Sequence, residues 1–148
     1  MLIDQIRTDL TEATKAREKL RQRTLRSVIA AVQEASVSGA EAQELDDDAV
    51  LAVIKAQVKR RVDAAEAFEA GGRSDRADDE RAEKEVLEGY LPAALSDDEL
   101  ESIVTGVMEA NGFESRADMG NAMRAVNAEV AGRADGRRVA ELVKTKLN

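Results

Sequence analysis

The apolar residues of this chain recur at steps of three and four along nearly its whole length, and nowhere do Val and Ile alternate for long enough to make a strand. The pattern predicts an all-α fold. A four-helix unit paired as two helical hairpins is expected over residues 1–92, and a small three-helix domain over 93–148. Leu2, Ile3, Ile6, Leu10 and Ala13 share one face of a first helix running to about Ala16, with Asp4 and Asp9 near its positive end. A second helix starts near Lys19 and carries Leu20, Leu25, Val28, Ile29 and Val32, and Ser36 to Leu45 follows as a loop. Asp46 is placed to cap a long third helix whose stripe is Val50, Leu51, Ile54, Val58, Val62, Ala65 and Phe68, ended by Gly71-Gly72. The fourth helix holds Ala82, Val86, Leu87, Tyr90 and Leu91.

Pro92 is the sole proline and disfavours helical geometry at Leu91, so the boundary between the two units is set there. Ser96-Asp97-Asp98-Glu99 reads as a capping box opening the fifth helix, which Asn111-Gly112 stops. Ser115 is expected to cap the sixth helix, with Met119, Ala122, Met123, Val126 and Val130 on its inner face. Gly132 then supplies a positive φ and Asp135 caps the seventh helix, which carries Val139, Leu142, Val143 and Leu147. Two short helices therefore meet at a sharp corner.

Composition narrows the chemistry. Aromatic residues are 2 % of the chain, so the core is aliphatic, and the mix of 35 % charged with 43 % apolar residues suits long helices. The absence of Cys and His excludes disulfides, thiolate chemistry, His-ligated metals and imidazole acid/base catalysis. The runs Asp46-Asp47-Asp48 and Asp78-Asp79-Glu80 lack the spacing and turn glycine of a calcium loop, and read as caps and solvated faces. No strand-to-helix glycine loop cradles a phosphate. The expectation is therefore no catalytic residue, no metal and no cofactor. No apolar run approaches a membrane span, and Met1-Leu2-Ile3-Asp4 lacks the order of a signal peptide, which points to the cytoplasm.

Net charge is −8, yet three groups of cations interrupt the acidity. Lys15, Arg17, Lys19, Arg21, Arg23 and Arg26 lie within twelve residues, opposed by Glu18 alone. They form either a solvated face that covers apolar surface with methylene stems or a phosphate site in which Arg grips with a fork. Lys55, Lys59, Arg60 and Arg61 form a second group: Lys55 and Lys59 share a face, Arg60 and Arg61 fan away from it, and Asp63 is placed to pair with Lys59. The third group is at the corner, where Arg133, Arg137, Arg138, Lys144 and Lys146 face only Asp135 and Glu141. Free amides beside Arg side chains suit phosphate, although Asp135 as a cap occupies some of those amides.

Four stretches together carry a resemblance: Lys19-x5-Leu25-Arg26, Glu85-x-Leu87-x-x-Tyr90-Leu91-Pro92, Asp118-Met119-Gly120-x-x-Met123, and Gly132-Arg133-Ala134-Asp135-Gly136-x-x-Val139. The chain resembles the YqeY-like family from Leu2 to Leu147, and its C-terminal part is similar to the tail domain of GatB, a component of the glutamyl/aspartyl-tRNA amidotransferase. The resemblance implies two helical units, the second lying against tRNA as that tail does. Arg133, Arg137, Arg138 and Lys144 would then face the RNA backbone, with Lys19, Arg23 and Arg26 as further candidates. It also implies a partner: tRNA, or an enzyme that charges or amidates it. The catalytic cradle of GatB has no counterpart here, so the carbon–nitrogen ligase label attached to such families would describe a system this chain assists. The alternatives are a protein-interaction module that ignores RNA, and an accessory factor to glutamine-dependent amidation.

Overall fold

The computed structural model describes residues 1–148 and is all-helical, with seven α-helices, one 3-10 turn and no strand. It divides into two compact units, Met1–Leu91 and Pro92–Asn148, each with its own core.

The first unit holds α1 (Leu2–Lys15), α2 (Lys19–Ser36), α3 (Asp47–Ala70) and α4 (Ser74–Glu88), with α1 packed on α2 and α3 on α4. Tight turns make both hairpins. After α1, the Glu18 amide donates to the Ala13 carbonyl at 3.0 Å and the Arg17 amide to Thr14 at 3.2 Å, with Arg17 at φ 57°. After α3 the same pair of bonds recurs, Arg73 to Phe68 at 2.8 Å and Gly72 to Glu69 at 3.1 Å, with Gly72 at φ 74°. Left-handed backbone is free for Gly72 but costs Arg17 about 1–2 kcal/mol. Asp46 caps α3 through the Ala49 amide, and Asp47 accepts the Leu2 amide at 2.8 Å, tying the start of α1 to the start of α3.

Ile6, Leu25, Val28, Val50, Ile54 and Leu87 are buried at the centre, each side chain contributing about 1.5–3 kcal/mol. The buried stripe of α3 departs from the apolar reading. It runs Val50, Ile54, Gln57, Arg61, Ala65, while Val58 and Val62 are half-buried beside it. On α4 the buried positions are Ala77, Glu83 and Leu87, while Ala82 is half-buried and Val86, also half-buried, packs against the core. The two helices meet through polar side chains that pair with one another, so a search for apolar periodicity passes over them. Asp9 lies beyond the first turn of α1 and accepts a hydrogen bond from the Tyr90 hydroxyl instead of complementing the helix start. Tyr90 and Leu91 fall in the turn after α4, which ends at Glu88.

The second unit holds α5 (Asp97–Asn111), a single 3-10 turn (Arg116–Asp118), α6 (Met119–Val130) and α7 (Gly136–Lys146). Ser96 and Glu99 form the full capping box of α5, and Gly112 closes it at φ 66°. Ser115 caps the 3-10 turn rather than α6: the Asp118 carboxylate reaches back to the amides of Glu114 at 3.0 Å and Ser115 at 3.1 Å. Val104, Val126, Val130, Val139 and Val143 fill the core.

Candidate nucleic-acid interface

The corner between α6 and α7 is built by two consecutive left-handed residues. Ala131 takes φ 50° before Gly132 takes φ 77°, so the reversal begins one residue earlier than glycine alone would place it. The Ala131 amide donates to Asn127 at 2.9 Å and the Arg133 amide to Val130 at 3.0 Å, satisfying carbonyls that end α6. The carbonyl of Arg133 in turn accepts the Leu95 amide at 2.8 Å, which pins the segment before α5 to the corner. Asp135 then caps α7, its side chain accepting the Arg137 amide at 3.1 Å.

This frame sets the three corner arginines apart. Arg133 is half-buried and its Nε donates to the Val130 carbonyl at 3.3 Å, where a cation also meets the negative end of α6. Arg138 stands 3.6 Å from an Asp97 carboxylate oxygen and 3.9 Å from one of Glu141, both exposed pairs that water and salt weaken. Arg137 is exposed and has no acidic partner, and neither does exposed Lys144. Lys144 also lines a cleft of about 250 Å³ with Arg116, Met119 and Leu147.

The candidates on α2 fare differently. Lys19 and Arg26 are exposed and unpaired, whereas the Nε of Arg23 donates to Glu83 on α4 at 2.8 Å. That hydrogen bond, and then the charge of Glu83, hold the Arg23 guanidinium above its ordinary pKa. Glu83 also faces Arg61, at 3.6 Å from its Nε. Arg61, which fans away from the face shared by Lys55 and Lys59, is only 9 % exposed; it donates to Gln57 and, at 3.2 Å, to the Ser27 hydroxyl, while its Nε makes no hydrogen bond. Lys59 does pair with Asp63, at 3.5 Å. No set of acidic side chains converges as a metal site requires.

A match to the Yqey-like protein model extends over residues 3–147. The chain belongs to the YqeY-like family. It is also 28 % identical over 133 residues to altered inheritance of mitochondria protein 41, mitochondrial, of Clavispora lusitaniae, an alignment covering 88 % of this chain and 76 % of that one. The stretches that carry the family likeness have visible structural work. Tyr90 binds Asp9, and burial, then that hydrogen bond, push its hydroxyl above the ordinary 10.0. Asp118 closes the Ser115 turn, and its backbone hydrogen bonds hold its carboxyl below the ordinary 3.8. Gly120 and Gly136 are another matter, since a Cβ at either would meet nothing within 4 Å. Packing inside this chain does not require a glycine at these two places. No helix of the chain is long and apolar enough to cross a membrane. Arg116, which lines the cleft with Lys144, stands apart from the three basic groups of the sequence and so carried no signal there.

Proposed function

We propose that this YqeY-like chain is a non-catalytic helical module that meets tRNA, or the machinery that charges and amidates tRNA, through its C-terminal unit. Arg137 and Arg138 contact RNA phosphates there, with Arg133 and Lys144 flanking them. The observation that carries the reading is the exposure of Arg137 without an acidic partner in a chain of net charge −8. Asp135, the nearest acid in sequence, has its side chain turned onto the Arg137 amide. Arg138 shares two exposed carboxylates that a phosphate fork would displace at small cost. On α2, Lys19 and Arg26 remain available to phosphate, while Arg23 serves Glu83 and is a weaker candidate.

Gel-shift titration of tRNA at low salt tests this. Binding should weaken as salt rises, and Arg137→Glu with Arg138→Glu should weaken it by roughly tenfold or more. Binding indifferent to both would remove the reading. A partner protein retained in pull-downs after RNase digestion would favour the interaction-module alternative. A change in amidation of misacylated tRNA on adding the protein would favour the accessory role.

A further inference from the structure

The cleft lined by Arg116, Met119, Lys144 and Leu147 joins the 3-10 turn and the start of α6 to the end of α7. Its floor is apolar: Leu147 is 7 % exposed and Met119 half-buried. Its rim is two exposed cations, Arg116 and Lys144, neither of which has an ion-pair partner. Of the carboxylates nearest to them in sequence, exposed Glu114 makes no ion pair with either, and the other two are engaged elsewhere. Asp118 accepts the amides of Glu114 and Ser115 and, at 3.4 Å, the Ser115 hydroxyl, and Glu141 turns to Arg138. Positive charge at this cleft is thus left over after local pairing, above a small apolar surface.

A flat apolar body carrying an anion complements that arrangement. At about 250 Å³ the cleft lies just below the roughly 300–1,000 Å³ of pockets for larger organic ligands, which suits one ring system. A thioether beside the ring makes a favourable sulfur–aromatic contact. RNA offers such groups only where bases are unstacked, in loops, bulges and ends.

We propose that the cleft takes one unpaired base of an RNA loop or end, seated on Met119 and Leu147, with its phosphate between Arg116 and Lys144. The inference rests on the RNA-binding reading and deepens it: the corner arginines hold backbone of any sequence, and the cleft selects unpaired over paired RNA. The test is methyl NMR of the full chain, carbon-labelled at its four methionines, Met1, Met108, Met119 and Met123. It is titrated separately with oligoadenylate, with a blunt RNA duplex of equal length and with polyglutamate. Oligoadenylate should shift the Met119 methyl upfield by ring current and leave Met1 unmoved; the duplex should bind without moving Met119. Arg116→Glu with Lys144→Glu should weaken oligoadenylate by about tenfold or more while helix content stays unchanged, because both side chains are exposed. Duplex and single strand binding alike with Met119 silent would overturn the cleft and leave the phosphate reading standing. Failure of either RNA to bind would overturn both. A Met119 shift with polyglutamate alone would assign the cleft to an acidic protein segment and overturn the proposal.

Discussion

Arg61 and Arg137 are the same residue type, each on a helix and next in sequence to another arginine, yet their surroundings are opposite. Arg61 is 9 % exposed and shares the Glu83 carboxylate with Arg23, whereas Arg137 stands in solvent with only its backbone amide engaged. The difference lies in what the facing helix brings. α4 sets a carboxylate against α2 and α3, while α7 opens at a turn whose one acid is turned onto the backbone. Arg61 and Arg23 thus serve cohesion in the first unit, while Arg137 in the second remains available to an outside anion.

The sharpest way to break that comparison is Glu83→Ala. It leaves Arg61 buried beside no carboxylate and should lower stability by about 3–5 kcal/mol, read from urea unfolding. Changing Glu83 and Arg61 together to Leu should restore most of the loss, since paired apolar replacements are near neutral and Arg23 can turn to water. A loss as large in the double variant would show that shape, not charge, binds these helices. Tyr90→Phe comes next, at roughly 1.5–3 kcal/mol, because it removes a hydrogen bond to a carboxylate at a half-buried site. The sign of its pH dependence follows from the raised hydroxyl. The folded chain favours the protonated form, so that contribution is complete below 10.0 and is lost as pH climbs through and beyond that value. The stability gap between the parent and Tyr90→Phe should therefore be full at neutral pH and narrow as pH climbs above 10.0, with the shallower alkaline dependence in Tyr90→Phe.

Arg137→Glu with Arg138→Glu sharpens the other side. The tenfold loss in tRNA affinity is about 1.4 kcal/mol and should come with a stability change of no more than about 1 kcal/mol. A large loss of stability would mean that the corner is built on these charges. The smallest effect is expected at the two left-handed residues that are not glycine. Ala131→Gly in one unit and Arg17→Gly in the other should each stabilise by about 0.5–1 kcal/mol, as a rise in melting temperature. Should only Ala131→Gly also weaken RNA binding, a rigid corner would be part of how Arg137 is presented.

Much of the fold was legible because helix ends announce themselves chemically. Asp46, the Ser96–Glu99 box, Gly72, Gly112 and Asp135 each satisfy backbone groups within a few residues, so local sequence suffices to read them. Arg61 was illegible for the opposite reason. Its partners Ser27 and Glu83 lie 34 and 22 positions away, and no property of Arg61 itself separates a buried from a solvated guanidinium. The candidate site shows the same split. The cations of the corner were visible as a run, but which were already paired depended on Asp97, a residue of another helix. Arg116 was hidden because it is an isolated cation in a turn, and the cleft it lines exists only once Lys144 and Leu147 are laid beside it.

The carboxylate of Glu83 answers two guanidinium groups that arrive on separate helices. Its evolution is therefore constrained as a trio. Among relatives, position 83 should drift only in step with 61, with 23 following loosely, and lineages that lost the acid should carry an apolar residue at 61. Such joint substitution would be a fossil record of this helix junction, readable from genomes without a further experiment on the molecule.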